Sequence, residues 1–145
     1  MKVLFIAAEC KPFSKVGGVG DVAGELPVEL KKQGVDVEIA TPLYDKVKAE
    51  HIRGGEPPPY YIKGHPEPEK IEWFRGDLNG VPVHFAKCAR FGPDPYVNSK
   101  TVPYLDDALR FSMFSEACLE LIARLNPDIV HVNDWGLGYL FGRRP

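Results

Sequence analysis

Apolar residues run almost unbroken through Lys2-Val3-Leu4-Phe5-Ile6-Ala7-Ala8. A run this short and this continuous predicts a strand buried on both faces, as in a parallel sheet. From Val22 the period changes. Val22, Leu26, Val28 and Leu30 are interleaved with Glu25, Glu29, Lys31 and Lys32, which predicts a surface helix that Pro27 bends and Gly34 is suited to cap. Val35-Asp36-Val37-Glu38-Ile39-Ala40 then returns as a second strand. Strand, helix and strand in succession form a βαβ unit, which is right-handed and parallel in nearly all proteins.

Between residues 46 and 70 this regularity breaks down into charges, Gly54-Gly55 and a proline run, read here as a surface excursion. Ile71-Glu72-Trp73-Phe74-Arg75 and Val81-Pro82-Val83-His84-Phe85-Ala86 flank Asn79-Gly80, a strong hairpin signal, and one arm is expected to join the main sheet. A second loop from Arg90 to Val102 carries Gly92, Pro93, Asp94, Pro95 and Asn98. Helical spacing resumes at Leu105, with Phe111, Phe114, Cys118, Leu121, Ile122 and Leu125 on one face, and Asn126-Pro127 stops it. Asp128 to Val132 is a third parallel-type strand delivering Asn133-Asp134-Trp135 at its carboxyl end. The predicted fold class is α/β: a Rossmann-like parallel sheet with flanking helices and an inserted β-hairpin. If the first and third parallel strands are neighbours, the loops that follow them share one rim.

Lys15-Val16-Gly17-Gly18-Val19-Gly20-Asp21-Val22 sits between the first strand and the first helix. Glycines admit an anion close to the backbone, helix N-terminal amides point at it, and a lysine adds a mobile charge. A plain strand-to-helix turn is the competing reading. A Walker loop requires Gly-Lys-Ser/Thr after its spacer, whereas here the lysine precedes the glycines. A dinucleotide fingerprint requires G-x-G-x-x-G directly after the strand. Here Gly24 falls one place late, and the second strand ends in Thr41-Pro42 without an acid.

Composition narrows the field. At 145 residues the chain is one ordinary domain, and a net charge of −2 argues against a nucleic-acid or anionic-membrane surface. Cys10, Cys88 and Cys118 form no C-x-x-C pair, which points away from a disulfide framework or zinc site and towards a reducing cytoplasm. Neither a secretory leader nor a membrane span is expected. His51, His65 and His84 lack triad or metal spacing and receive no role.

Three motifs together carry a family resemblance. The opening strand, Glu9, Lys15-Val16-Gly17-Gly18, Asp21-Val22 and Leu26-Pro27 resemble the N-terminus of bacterial glycogen synthases and plant starch synthases. Asp107-Ala108-Leu109-Arg110-Phe111 resembles that family's D-N-x-x-R-F helix, and Pro127 to Trp135 resembles its P-D-x-x-H-x-H-D-W strand and turn. The resemblance implies a two-domain GT-B glycosyltransferase, with residues 1–145 as an incomplete N-terminal domain. Such an enzyme moves glucose from ADP-glucose, or UDP-glucose in some relatives, to the non-reducing end of an α-1,4-glucan with retention.

The developing charge on the diphosphate must then be met, and lysine with backbone amides does so without a metal or other cofactor. The resemblance makes Lys15, Gly17 and Gly18 donor-binding, and Asp21 either a donor contact or a partner of the helix dipole. It makes Asp134 the acid in the cleft near the reacting sugar. His131 is either a second catalytic candidate or a core histidine. Glu9 is a sugar contact or a solvated loop carboxylate; Tyr96 is an aromatic near the donor or a locally packed tyrosine. The chain departs from the family at Asn133 and Gly136, where histidines are usual. The family's second domain, with its basic donor-phosphate residues and glutamate, has no counterpart here. The isolated chain is therefore expected to lack synthase activity. It is also expected to expose a strand edge and to self-associate or recruit a complementing chain. A non-catalytic sugar-nucleotide or glucan-binding module is the alternative function.

Overall fold

The strand with the most continuous apolar sequence is an interior strand of the sheet, paired on both sides. In a computed structural model, which describes residues 1–62, 68–97 and 103–142, β1 (Lys2–Ala7) pairs in parallel with β2 (Asp36–Pro42) on one side and β6 (Ile129–Asn133) on the other. Leu4, Phe5, Ile6 and Ala7 have no solvent exposure. β2 pairs in parallel with β5 (Val81–Lys87), which turns back through an antiparallel ladder to β4 (Glu69–Leu78) and then β3 (Ile52–Ile62). The sheet order is β3-β4-β5-β2-β1-β6. Both arms of the predicted hairpin thus join the sheet. Their turn places Asn79 and Gly80 at φ 50° and 87°, the paired positive values of a type I′ turn.

Helix α1 (Gly18–Lys32) connects β1 to β2, and α2 (Asp107–Leu125) connects β5 to β6. The two crossovers travel in opposite directions along the sheet, so the right-handed rule puts their helices on opposite faces. Gly34, at φ 84°, ends α1. Its amide bonds Lys31 O and that of Val35 bonds Leu30 O, the two bonds of a Schellman closure. α2 begins at Asp107 and not at Leu105, whose side chain is fully exposed. Its buried face carries Phe111, Phe114, Cys118 and Leu121 as the spacing predicts. All three cysteines are buried and free.

The expected excursion over 46–70 needs correction. Its residues 52–62 are β3, the outer strand of the sheet. Proline lacks the ladder's N–H, yet an edge strand tolerates it where the pairing slips. The β3–β4 register shifts between Glu56 and Tyr60, the interval that contains Pro57-Pro58-Pro59. His65, Asn98 and the closing Arg143-Arg144-Pro145 lie outside the described residues.

Charged groups fasten the far end of the sheet. Glu38 on β2 bonds the fully buried His84 of β5 at 2.6 Å and faces Lys2 at 3.1 Å and Arg75 at 3.6 Å. Glu56 of β3 pairs with Arg75 and, at 2.6 Å, with Arg124 of α2. This network sits towards the amino ends of the parallel strands and leaves their carboxyl ends to the loops.

Candidate functional site

Strand order reverses at β1: its helical crossover leads to β2 on one side, while β6 arrives on the other. The carboxyl ends of such neighbouring strands frame the crevice where open α/β sheets bind ligands. Here they deliver the lysine–glycine loop after β1 and Asn133-Asp134-Trp135 after β6.

The first loop folds back on α1. Cys10 and Ser14 exchange backbone bonds at 2.8 Å, and Lys11 N donates to Gly20 O at 2.9 Å. A Cβ on Gly24 would lie 2.5 Å from Lys11 O, so Gly24 is needed for this close packing. That explains a glycine misplaced for a dinucleotide fingerprint. Lys15 Nζ lies 2.8 Å from Asp21 Oδ2, and Lys11 Nζ is 3.6 Å from the other oxygen. Their hydrogen bond raises the Lys15 ammonium and lowers the Asp21 carboxyl relative to their ordinary values. Gly17 is the N-cap of α1, which no side chain caps, and a Cβ on Gly18 would meet nothing within 4 Å. Lys15 and the open side of Gly18 thus face outward at a helix N-terminus, a combination able to hold an anion.

Glu9 is not solvated. It is 1 % exposed, and its carboxylate accepts from Val16 N at 2.5 Å and from Gly17 N at 3.0 Å. The solvated alternative is therefore excluded, and both amides point inward to Glu9.

At the carboxyl end of β6, Asp134 adopts φ 82° and ψ 152°, an uncommon conformation for a residue with a side chain. Its Oδ1 accepts from Trp135 N at 2.7 Å and its Oδ2 from the Tyr96 hydroxyl at 3.0 Å. Burial first, then the bond and charge of Asp134, then the charge of Glu9 push the Tyr96 phenol well above its usual range. Tyr96 and Asp134 are thus brought together, with the charge of Glu9 close enough to be felt. His131 lies within β6 opposite Phe5, with ring centroids 4.6 Å apart, and packs rather than projects freely.

The two departures from the family pattern have local accommodations. Asn133 donates to Ile6 O at 3.2 Å, tying β6 to β1. A Cβ on Gly136 would come within 3.0 Å of the Phe111 ring, so a larger residue there would have to displace it.

Arg110, to which the sequence motif Asp107–Phe111 assigns no role by itself, organises the loop that carries Tyr96. Although 1 % exposed, its guanidinium donates to Arg90 O, Phe91 O, Asp94 O and Pro95 O and to Asp107 Oδ1. It also stacks 3.4 Å from the Tyr104 ring centroid. An arginine next to Phe111 on a helix's apolar face was the available signal: a buried cation requires a full set of acceptors. Among the described residues no group of three His, Cys, Asp or Glu could hold a metal, and no helix is long and apolar enough to cross a membrane.

Known proteins resemble this chain in sequence and fold. The family described as the starch synthase catalytic domain matches residues 2–141. A glycogen synthase of Clostridioides difficile is 34 % identical over 154 residues, covering 97 % of this chain and 30 % of the relative. One from Kosmotoga olearia is 41 % identical over 138 residues, covering 93 % and 28 %. The catalytic domain of starch synthase IV from Arabidopsis thaliana, bound to ADP and acarbose, superposes with a TM-score of 0.81 at 33 % identity, covering 95 % of this chain and 29 % of that one. The chain therefore spans roughly three-tenths of the length of the relatives it matches. With this fold and these motifs, the chain belongs to the starch and glycogen synthase family of GT-B glycosyltransferases.

Proposed function

We propose that the chain is the N-terminal part of an ADP-glucose or UDP-glucose:1,4-α-glucan 4-α-glucosyltransferase, and that the β1–β6 crevice takes the glucosyl donor. The observation that carries this reading is the junction itself: adjacent parallel strands bring a lysine at an uncapped helix N-terminus and an aspartate to one rim. The ADP and acarbose held by the Arabidopsis relative support a nucleoside diphosphate and a sugar-like ligand as the classes to test. Lys15 and the amide of Gly18 meet the diphosphate as charge develops on its leaving oxygen. Asp21 releases Lys15 to the ligand. Asp134, held by Tyr96, faces the transferred sugar, with His131 beside it on β6. A clamp on the phosphates from one side only leaves half of the transition-state charge unmet, so the 145-residue chain alone does not elongate glucan.

The test is an amide NMR titration of the chain with ADP-glucose, UDP-glucose, maltooligosaccharide and NAD, beside an assay of glucan elongation. Sugar nucleotide is expected to move the Gly18 and Val19 resonances, Lys15→Ala to weaken that response at least about tenfold, and NAD to do no better. Preferential binding of NAD, or glucan elongation by the isolated chain, would overturn the assignment.

A further inference from the structure

The loop contains an anion of its own. Glu9 is buried, its carboxylate accepts from the amides of Val16 and Gly17, and among the described residues it makes no salt bridge. Its slot is fitted closely. A Cβ on Gly17 would stand 3.3 Å from Oε1, and one on Gly20 would stand 3.2 Å from Oε2 and 3.1 Å from Lys15 Cγ. Gly17 and Gly20 therefore make room for Glu9, and Gly24, further along α1, makes room for Lys11. Of Gly17, Gly18, Gly20 and Gly24, Gly18 alone opens onto free space.

From this division of labour we infer that Glu9 is a positioning residue: its carboxylate fixes the Val16 and Gly17 amides inward and so aims Lys15 and the Gly18 end of α1 at the diphosphate. The inference rests on the reading of this loop as the donor-phosphate site. Without the carboxylate, Val16 and Gly17 lose the acceptor that orients them, and a glycine-rich segment then samples many conformations. Lys15 immediately precedes the fixed pair and Gly18 immediately follows it, so both depend on the same anchor. Glu9 does this from inside the loop and touches no ligand.

The experiment compares the unmodified chain with Glu9→Gln and Glu9→Ala by amide hydrogen exchange and by ADP-glucose titration on the same NMR spectra. Glu9→Ala is expected to accelerate exchange at Val16 and Gly17 at least about tenfold, leave the β1 amides unchanged, and weaken ADP-glucose at least about fivefold. Glu9→Gln keeps a carbonyl acceptor of the same reach and is expected to fall between on both readouts. Unchanged exchange at Val16 and Gly17 would overturn the inference. So would tighter ADP-glucose binding in both variants, which would make Glu9 only a repelling charge. Should Glu9→Ala fail to fold, the unmodified chain decides. Val16 and Gly17 are expected to exchange at least about tenfold more slowly, after correction for intrinsic rates, than Gly18 and Val19, whose first-turn amides lack intrahelical partners. Equal rates would refute it. Failure of the unmodified chain to bind ADP-glucose would sink the donor-site reading instead, while the exchange rates still judge Glu9's hold on the loop.

Discussion

Gly18 and Gly24 look equivalent in the sequence, and their surroundings make opposite demands. Alanine at 24 would put a methyl 2.5 Å from a backbone oxygen, which must move, so Gly24→Ala is expected to cost about 1–3 kcal/mol. Alanine at 18 enters open space in the first turn of a helix and is expected to be neutral or to stabilise by up to about 1 kcal/mol. If Gly18 faces the donor phosphate, that same alanine weakens ADP-glucose binding. Urea denaturation and titration of the two variants separate packing from recognition. Equal destabilisation by both would contradict the geometry. Lys15, Asp21, Asp134 and Tyr96 stand out in the sequence as candidates because their motifs are local, and the structure pairs Lys15 with Asp21 and Tyr96 with Asp134. The task of Glu9 was hidden, since it depends on a loop returning to its own start.

At the scale of elements, the strands and helices that bury apolar faces were legible, and so was the Asn79-Gly80 turn. β3 was not. Its prolines interrupt the alternation by which a strand is recognised, and only the sheet shows that they fall in a register slip on an outer strand. The polar staple between β2, β3, β5 and α2 was equally invisible, because Glu38, Glu56, His84 and Arg124 meet only after folding.

That staple sets an acid limit on stability. Burial first, against its bond to Glu38, pushes the His84 imidazole below its ordinary 6.5. The bond from His84 first, then that from Lys2, holds the Glu38 carboxyl down from 4.5 to about 2. Both folded values lie below the unfolded ones, so unfolding takes up protons and stability declines as pH falls. The His84 contribution is complete above pH 6.5 and is lost below it; the Glu38 contribution is lost between 4.5 and about 2. The Glu38 contribution is expected to be on the order of 3 kcal/mol. In urea midpoints measured against pH, His84→Gln should flatten the upper limb and Glu38→Gln the lower. Parallel curves for all three proteins would dismiss the staple as the source.

For the whole molecule the asymmetry of the sheet matters most. One margin, β3, is proline-rich and irregular; the other, β6, is regular, pairs among the described residues with β1 alone, and exposes Ile129 at 45 % and Val130 at 37 %. A regular apolar margin templates further strands, whereas prolines and bulges discourage them. The isolated chain is therefore expected to associate through β6, giving a light-scattering mass that rises with concentration above 16.2 kDa. Val130→Lys should return it towards the monomer. A mass of 16.2 kDa at every concentration would count against β6 as a template.

The ion pair between Lys15 and Asp21 also has a bearing on selectivity. A carboxylate carried on the adjoining helix competes for the ammonium at an effective concentration on the order of millimolar, whatever the surrounding solution contains. Weak monovalent anions face that standing rival at every encounter, while a diphosphate with two charges and several oxygens can displace it. Asp21→Asn should therefore let chloride inhibit ADP-glucose binding far more strongly than it does in the unmodified chain. On the proposal that Lys15 meets the donor diphosphate, the pair works as a threshold, admitting to Lys15 ligands that displace a tethered carboxylate.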